Sequence, residues 1–598
     1  MKPISILCLW LSLCPVLSEE WSTITVPGAW ETQANGRFAE LDGFAWYRCL
    51  VKVPESWQGS RLLLTVVAVD NVDEAYFNGL KVGANGGMPP LYGNPSSDVR
   101  QPAVIDPDQV RFGDYNLVAY RVYDKDGQGG ILKGPVQLAR LDDAVDLSGQ
   151  WDFIPGDQKS HGRWPNNDPA SAASQELIAS YTQRHGDQAA GHHGIVPADK
   201  ESRERDMALV RQRFEGNKNV HSNIAGKGDP LSPAKALAGL KVREGLTADL
   251  VLSEPTITQP LYTEFDERGR LWVTEYIQYP KPAGLEVLTW DNHLRSVFDA
   301  VPPPPPYTKP EHKKYIGRDK ISIHEDTNGD GVFDSHKVFL DGLNIVTSTC
   351  KGSGGVWLMN PPYLLFYPDA DNDDVPDGDP IVHLSGFGLQ DTHSVANSLK
   401  WGPDGWLYAA TGSTVTARIQ VALKPNQAPI RFFGQTIWRY HPVRHEFELF
   451  AEGGWNTFGV DFDDLGRLYS GTNGGMQAVH FVQGAFYQKG FGKHGPHTNP
   501  YAFDYFYGIP IEGDKRRLVQ QWLPYGGGTM PGLEGQFFGV NCLANRVAVL
   551  DTNPNGSSFT SQETAAALES DDVWFRPVHA ALAPDGGVYV SDFYDARI

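Results

Sequence analysis

The sequence lacks the patterns that would place it at once in a familiar catalytic class. It has 5 cysteines in 598 residues and no CxxC or CxxCH, so the chain as given carries no zinc ribbon and no covalently attached haem. It also has no phosphate-binding loop, no GxGxxG before a helix and no GxSxG nucleophile elbow. These absences exclude the common nucleotide-binding and serine-hydrolase chemistries.

Positive charge is also scarce. Lys and Arg number 51 against 72 Asp and Glu, which gives a formal net charge of −21. Binding to nucleic acid or to an anionic membrane needs clustered Lys and Arg. We therefore expect no nucleic-acid partner.

Long apolar runs are absent except at the N-terminus. The run from Ile4 to Leu17 follows Lys2 and is shorter than the roughly 20 apolar residues of a transmembrane helix. It is typical of a signal peptide covering residues 1–18, which predicts a secreted or periplasmic protein. Only three cysteines, at positions 49, 350 and 542, then remain, and they make no disulfide framework.

Glycine, proline and aromatic residues are abundant, with 63 Gly, 43 Pro, 16 Trp, 24 Tyr and 28 Phe. This composition favours a turn-rich β protein. Residues 19–142 alternate apolar and polar positions in short runs, which predicts a jelly-roll β-sandwich. Residues 143–235 are polar and poor in aromatics, and we interpret them as a linker.

A repeat begins near residue 236 and continues to residue 598. Four copies have a strand, a tight turn with Asp and Gly, and a second strand carrying an aromatic residue, and two weaker copies lie near residues 356 and 540. The second strands begin near residues 271, 356, 407, 468, 540 and 588. This spacing predicts an all-β chain that ends in a six-bladed β-propeller. The last blade has only its first two strands, so we expect the chain to be a fragment of a longer protein.

Two acidic turns, offset by one blade length, are candidate metal sites. Oxygen ligands at alternate positions of such turns suit Ca²⁺. The equally open alternative is a pair of Asx-rich hairpin turns without metal. The candidate ligands are Asp326, Asn328, Asp330 and Asp334 in the first turn, and Asp369, Asp371, Asp373 and Asp377 in the second.

A histidine between polar residues precedes one of the repeated inner strands. His393 is a candidate general base whose tautomer Asp391 would fix. The alternative is that the two side chains only tie a loop together. Further polar clusters at 453–459, 492–500 and 575–579 enter their blades from the same side. We expect all of them to converge on one mouth of the central channel.

The first domain resembles the N-terminal sugar-binding, galactose-binding-like domain of glycoside hydrolase family 2. The resemblance rests on Val26-Pro27-Gly28-x-Trp30, Trp46-Tyr47-Arg48, Val53-Pro54-x-x-Trp57-x-Gly59 and Phe77-Asn78-Gly79. It implies carbohydrate binding, with aromatics such as Trp30, Trp46 and Tyr92 either facing sugar or packing in the core. No catalytic barrel follows the domain, so the resemblance does not imply glycosidase activity.

The second domain is similar to a membrane-bound dehydrogenase family of Planctomycetes-type bacteria and, through it, to soluble quinoprotein sugar dehydrogenases. The similarity rests on Asp391-Thr392-His393, Trp401-Gly-Pro-Asp-Gly-Trp-Leu-Tyr408, Gly434-Gln435-x-Ile437-Trp438-Arg439 and Phe575-Arg576-Pro577. It implies pyrroloquinoline quinone (PQQ), Ca²⁺ and membrane association. It also implies a base at His393, acceptor binding by Asn456 and Arg576, and an electron acceptor or haem domain outside this chain.

Three functions remain open from the sequence. The first is oxidation of a sugar hydroxyl with a quinone-type acceptor. The second is glycan binding or scaffolding without catalysis. The third is a glycoside hydrolase-related activity, which would need paired carboxylates in the channel mouth. The sequence does not indicate an oligomeric state.

Overall fold

The structure is a computed structural model. It describes residues 21–86, 88–89, 102–140, 143–186, 229–290, 296–413, 415–473, 478–489, 505–512 and 520–595. The chain divides into two compact units, Met1–Arg203 and Glu204–Ile598. The expected signal peptide lies outside the described residues. No helix within those ranges is long and apolar enough to cross a membrane.

The first unit is a β-sandwich of two antiparallel sheets. Its strands are β1 (Ser22–Val26), β2 (Gly43–Lys52), β3 (Leu62–Asp70), β4 (Val72–Phe77), β5 (Leu80–Asn85), β6 (Ala103–Ile105), β7 (Tyr115–Asp124), β8 (Gly130–Ala139), β9 (Ala144–Asp146) and β10 (Gly149–Pro155). One sheet has the order β1-β10-β2-β7-β4-β5 and the other β6-β3-β8-β9. This arrangement confirms the predicted sandwich.

Large aromatic side chains fill the core of the sandwich. Trp30 and Trp57, from short 3₁₀ helices, and Trp151, from strand β10, are buried there. Trp46 is buried on the other face of β2, beside Ile154. Trp30 and Trp46 therefore have core roles and are not exposed to a sugar, and Tyr92 lies outside the described residues.

The sandwich continues past the boundary expected at residue 142. Strands β9 and β10 complete its two sheets, and helix α1 (Ala172–His185) packs Leu177 and Tyr181 on its core. Ser171 caps the first turn of this helix by accepting a hydrogen bond from the Ser174 amide at 3.2 Å. The segment looks polar in sequence because only one face of a short surface helix is apolar.

The second unit begins with three sheets. Their strands are β11 (Leu240–Val242), β12 (Pro260–Phe265), β13 (Leu271–Glu275), β14 (Val287–Trp290), β15 (Ser296–Phe298), β16 (Asp319–Glu325), β17 (Ser335–Leu343), β18 (Ser348–Lys351), β19 (Gly355–Asn360), β20 (Tyr363–Pro368), β21 (Ile381–Ser385), β22 (Ala396–Trp401), β23 (Leu407–Thr411), β24 (Thr416–Val421), β25 (Ile430–Phe433), β26 (Thr436–His441) and β27 (Glu446–Glu452). The sheet orders are β12-β13-β16-β17, β18-β19-β20-β21-β24-β25 and β22-β23-β26-β27, the last extended by two short strands. Strands β14 and β15 form a separate hairpin.

Three further sheets follow. The remaining strands are β28 (Asn456–Phe462), β29 (Leu468–Asn473), β30 (Ala478–Phe481), β31 (Phe486–Tyr487), β32 (Tyr505–Phe506), β33 (Ile511–Glu512), β34 (Gln521–Pro524), β35 (Phe537–Asn541), β36 (Arg546–Asn555), β37 (Ser558–Ser570), β38 (Pro577–Leu582) and β39 (Val588–Asp592). Of these, β31 and β32 are the two short strands that extend the sheet containing β27. The orders are β28-β29-β30, β34-β35-β36-β37-β11 and β38-β39, and β33 pairs with β37.

Helices are few in both units. Helix α2 (Pro233–Ala238) precedes β11. The short 3₁₀ helices are Trp30–Thr32, Ala34–Gly36, Glu55–Trp57, Pro107–Gln109, Lys159–Gly162, Pro165–Asn167 and Pro310–Tyr315. The chain is therefore all-β in character, as predicted.

The first strands of the six sheets close into a ring. Strand β12 packs against β18, β18 against β22, β22 against β28, β28 against β34, β34 against β38, and β38 against β12. A ring of six radial sheets is a six-bladed propeller. Within the described residues the sixth sheet consists of β38 and β39, as the repeat predicted.

The repeated Asp and Gly residues explain why the blade count could be read from the sequence. In the turn between β12 and β13, Asp266 Oδ1 accepts hydrogen bonds from the amides of Arg268 and Arg270, both at 2.9 Å. Gly269 in this turn has a φ of 76° and Gly405 in the turn between β22 and β23 has a φ of 77°, a region that favours glycine. The repeat thus marks the connection between the first two strands of a blade.

Candidate functional site

A cavity lies where the inner strands begin, and we call it the channel mouth. All six blades contribute to it, and its empty volume, which includes some open solvent, is about 690 Å³. The lining residues are Leu261, Tyr262, Tyr276, Tyr279, Thr347, Thr392, His393, Val395, Asn397, Ser398, Phe458, Gly459, Gln520, Gln521, Val578, His579 and Phe593.

His393 stands in this lining with its ring held by Asp391. Asp391 Oδ1 accepts a hydrogen bond from the His393 amide at 3.1 Å and lies 3.0 Å from His393 Nδ1. A carboxylate only accepts hydrogen bonds while it is ionised, so this contact places the ring proton on Nδ1 and leaves Nε2 as an acceptor. The His393 side chain is 49% exposed, so a ligand in the cavity can reach it.

The loop that carries His393 is anchored from the first blade. Thr392 Oγ1 donates to the carbonyl of Pro280 at 2.6 Å, and Tyr276 Oη donates to the carbonyl of Thr392 at 3.0 Å. The ring of Tyr279 meets His393 edge-on, with centroids 5.1 Å apart. These contacts fix the position of a histidine that would otherwise sit on an exposed turn.

A second histidine, His579, lines the same cavity. Its Nδ1 accepts a hydrogen bond from the Thr263 amide at 3.3 Å, and the Tyr262 ring packs on it at a centroid distance of 4.1 Å. Burial, aided by the positive charge of Lys400, lowers the pKa of His579 to about 3. His579 is therefore neutral near pH 7, and its proton is on Nε2. The sequence placed this residue in a polar cluster but assigned it no role.

The two residues expected to bind an acceptor lie elsewhere. Asn456 Oδ1 accepts hydrogen bonds from Ser394 Oγ and, at 2.6 Å, from the Ser413 amide, so it ties two loops together. Arg576 is 1% exposed and donates to the carbonyl of Cys542 at 3.2 Å. Burial lowers the pKa of Arg576. Neither residue is part of the cavity lining.

The donor set of the mouth does not match PQQ. This cofactor carries three carboxylates, which proteins hold with Arg or Lys. The described lining residues include no Arg and no Lys. The described lining also contains no Asp or Glu, so it offers neither the paired carboxylates of a glycosidase nor a set of carboxylate ligands for a metal.

Charged residues do occur deeper in the channel, on the same inner strands. Lys400 Nζ lies 2.5 Å from Asp461 Oδ1, and Gln521 Nε2 donates to Asp461 Oδ2 at 2.8 Å. Burial works to lower the pKa of Lys400, but the charge of Asp461 outweighs it and the pKa is raised. Glu264 accepts a hydrogen bond from the Lys351 amide at 3.1 Å, and burial raises the pKa of Glu264 to about 8. We call Glu264, Lys400 and Asp461 the channel interior.

The sequence analysis did not identify the channel interior as a cluster. Its members are separated by more than 50 residues and meet only because three inner strands line one channel. The one available signal was a charged residue on the inner strand of a blade. Asp463 is a further carboxylate that the hydrolase alternative could have used. It accepts a hydrogen bond from Arg467 at 2.6 Å. Burial works to raise the pKa of Asp463, but the contact with Arg467 outweighs it and the pKa is lowered.

The two acidic turns differ in geometry. In the turn between β16 and β17, Asp326 accepts hydrogen bonds from the amides of Gly329, Asp330 and Gly331, while Asp334 accepts from Thr327. Asn328 donates to Asp330 at 3.1 Å. These contacts are those of a self-contained Asx turn.

In the turn between β20 and β21, one carboxylate oxygen from each of Asp369, Asp371 and Asp373 lies within 4.8 Å of the others. Asp377 instead accepts a hydrogen bond from the Ala370 amide at 2.8 Å. A group of three candidate ligands is thus found in one of the two turns within the described part of the chain.

The fold and the mouth define a six-bladed propeller with a histidine-bearing, aromatic-lined channel. The family model described as "Domain of unknown function (DUF7133)" matches residues 232–503 and 523–598, more than half of the chain. The chain belongs to this family. None of the curated proteins compared with it matches.

Solved structures similar to each unit were also found. The PQQ-bound aldose sugar dehydrogenase from Streptomyces coelicolor is 13% identical, covers 59% of this chain and 91% of its own, and has a TM-score of 0.33. A calcium-binding mutant of Bacteroides uniformis beta-glucuronidase 2 is 18% identical, covers 25% of this chain and 16% of its own, and has a TM-score of 0.16.

A glycosyl hydrolase family 2 member from Bacteroides cellulosilyticus is 16% identical, covers 22% of this chain and 16% of its own, and has a TM-score of 0.15. The structures named here are thus an aldose sugar dehydrogenase, a beta-glucuronidase and a glycosyl hydrolase family 2 member. At these identities and TM-scores the matches define neither a substrate nor a cofactor for this chain.

Proposed function

We propose that this protein binds a carbohydrate at the channel mouth and that His393 takes the proton of a bound sugar hydroxyl during its oxidation. The observation that carries the proposal is the His393–Asp391 pair at the rim of a cavity. Nδ1 faces Asp391 at 3.0 Å, which leaves Nε2 to accept a proton.

The composition of the lining supports a sugar as the ligand. Tyr279 and Phe458 offer aromatic faces or edges for the C–H surfaces of a sugar ring. His579 offers an Nε2–H donor. Gln520 Oε1 accepts the thiol proton of Cys542 at 2.9 Å, which leaves the amide nitrogen of Gln520 for a hydroxyl. Apolar surface with a few donors is typical of small-ligand sites.

The proposed oxidation removes two electrons from the carbon that bears the hydroxyl. The hydroxyl proton passes to His393 Nε2, the hydride leaves that carbon for a quinone-type acceptor, and a carbonyl remains on the sugar. We propose an acceptor supplied from solution or by another protein rather than resident PQQ, because the described lining has no cationic partner for three carboxylates. Calcium at the mouth is likewise not part of the proposal.

The test combines binding and turnover on the full chain. Sugars and oligosaccharides are screened by calorimetry, and hits are assayed with a soluble quinone or a dye acceptor, with and without PQQ and Ca²⁺. We expect turnover without PQQ, and we expect His393→Gln to lower kcat by about 100-fold or more while sugar binding changes only a few-fold. His312→Gln, a histidine outside the cavity lining, is the matched control.

The outcomes separate the open functions. Absence of sugar binding and of turnover would overturn the proposal. Binding that survives His393→Gln without any turnover would favour a glycan-binding or scaffold protein. A strict requirement for added PQQ would contradict the proposed acceptor, and reducing sugar ends released from a glycoside would favour a hydrolase.

The sandwich contributes a second carbohydrate site to this proposal. A cleft beside α1 is lined by Arg48, Lys159, Ser160, His161, Arg163, Trp164, Pro165, Asn166 and Asn167. Asn166 and Asn167 both have positive φ and exposed side chains. Exposed amides and cations suit hydroxyl and carboxyl groups of glycans. Loss of glycan-array signal in an Asn166→Ala, Asn167→Ala variant, with the channel mouth intact, tests this site.

We also propose that the protein is exported through residues 1–18. The supporting observation is the short apolar run after Lys2. Fractionation of expressing cells should find the chain outside the cytoplasm and shortened at its N-terminus. Membrane association is tested in the same fractions. An unprocessed chain that stays in the cytoplasm would contradict the proposal.

A further inference from the structure

The strongest unexplained feature outside the channel is the acidic turn between β20 and β21. One oxygen from each of Asp369, Asp371 and Asp373 lies within 4.8 Å of the others. Three like charges at this separation repel one another unless a cation is shared among them. Proximity alone does not make a metal site, so the surroundings of these carboxylates decide the matter.

Asp369 supplies a second and independent observation. Its side chain is 3% exposed, and its Oδ2 is fully buried without a hydrogen-bond partner. Its Oδ1 accepts a hydrogen bond from the Asp373 amide at 3.1 Å, so one of the two carboxylate oxygens is satisfied and the other is not. A buried, unsatisfied carboxylate oxygen is costly, and a bound cation would supply its missing partner.

The neighbouring basic side chains do not supply that partner. Arg270 directs its guanidinium to Asp374, at 2.5 and 2.8 Å, and to Asp266. Lys337 Nζ donates to the backbone carbonyl of Asp373 at 2.8 Å rather than to its carboxylate. Within the described residues, no Lys or Arg forms an ion pair with the three clustered carboxylates.

We propose that Asp369, Asp371 and Asp373 bind a Ca²⁺ ion in the turn between β20 and β21. The three carboxylates are hard oxygen ligands at alternate positions of one loop, and no histidine or cysteine takes part. Such a set suits Ca²⁺, which accepts irregular oxygen coordination completed by water, better than Zn²⁺ or the octahedral Mg²⁺.

The ion would stabilise the contact between the first two blades. Asp374, next in the chain after the site, pairs with Arg270 of the turn between β12 and β13. Arg268 of the same turn donates to the carbonyl of Asn372 at 2.6 Å. An ion that orders residues 369–373 therefore also orders the partners of two arginines from the preceding blade. This role does not depend on the chemistry of the channel mouth.

The experiment uses the full chain, stripped with EDTA and then dialysed against Ca²⁺. We expect one ion per chain, and a higher temperature of thermal unfolding with Ca²⁺ than without it. Asp371→Asn combined with Asp373→Asn should weaken binding by at least about tenfold, since two charged ligands are lost. Asp326→Asn combined with Asp330→Asn, in the similar turn between β16 and β17, is the matched control and should bind as the wild type does.

Three results would overturn the assignment. These are no Ca²⁺ binding by the wild type at millimolar concentration, unchanged binding by the Asp371→Asn, Asp373→Asn variant, and loss of binding in the control variant instead. Both substituted side chains are exposed, so circular dichroism in EDTA should show the variant folded as the wild type is. If the double variant fails this check, Asp371→Asn alone gives the same comparison.

Discussion

The mouth of the channel is lined from all six blades, the interior is formed by β12, β22 and β28, and the two use opposite chemistry. The mouth has aromatic rings, amides and two histidines, and its described lining carries no Asp, Glu, Lys or Arg. The interior, two to three residues further along the strands, holds Lys400, Asp461 and Glu264. The difference indicates that the mouth is shaped to receive a ligand, whereas the interior charges are already paired within the protein.

Breaking the interior pair should have the largest effect. Lys400→Met leaves the buried Asp461 without its cation, and because the Lys400 side chain is 40% exposed, solvent reduces the cost of the stranded charge to about 2–3 kcal/mol. We expect the free energy of unfolding in urea to fall by that amount. In the double variant Lys400→Met, Asp461→Leu no buried charge is stranded, so most of the loss should be recovered. A mild effect of Lys400→Met alone would contradict the view that the pair is enclosed.

Loss of the orienting carboxylate at the mouth should reduce activity and leave stability unchanged. Asp391→Asn removes the carboxylate that holds the ring proton of His393 on Nδ1, so we expect kcat to fall by about 10- to 100-fold. The free energy of unfolding should change by less than about 0.5 kcal/mol, because the pair is exposed. If the free energy of unfolding fell by as much as the lost activity represents in free energy, the His393–Asp391 pair would only tie the loop together.

The interior should also make stability depend on pH. The pKa of Glu264 in the folded protein is raised to about 8, above its pKa in the unfolded chain. Protonated Glu264 therefore makes its full contribution to stability at pH values below the unfolded pKa, and this contribution is lost as the pH rises through the folded pKa. Glu264→Gln should therefore gain thermal stability relative to the wild type as the pH goes from 5 to 8. We expect a relative gain on the order of 1–2 kcal/mol. A constant difference between the two proteins would contradict the raised pKa.

Removing one aromatic face at the mouth should have the smallest effect. Phe458→Ala deletes a ring that is only partly buried and lies in the proposed sugar site. We expect sugar affinity to fall by about 5- to 10-fold, equivalent to about 1 kcal/mol. Calorimetric titration with the best sugar measures it, and Phe450→Ala, a partly buried ring outside the mouth, is the control.

The blade count followed from the sequence because four of the six blades share the same short turn between their first two strands. The Asp and Gly of the first hairpin act within a few residues, as the contacts of Asp266 with Arg268 and Arg270 illustrate. Such short-range chemistry is visible in the chain itself. The position of His393 before an inner strand was predictable for the same reason.

The remaining parts of the site depend on contacts between distant segments. The roles expected of Asn456 and Arg576 came from a motif, but their partners Ser413 and Cys542 are tens of residues away in sequence. The two acidic turns have similar sequences and differ in the burial of one residue, Asp369. Burial of that kind has no local signature in the sequence.

Strand β11 has a mechanical consequence. It precedes the first blade in the chain, yet it pairs with β37 on the outer edge of the fifth, with Leu240 opposite Ser570 and Val242 opposite Leu568. The chain thus passes from the rim of the fifth blade to the centre of the first, skipping the sixth. Tension applied to the propeller at residue 229 would peel β11 from the fifth blade before it reached β12. The pairing of β11 with β37 would therefore break first, and the contact between β38 and β12 that closes the ring would be kept.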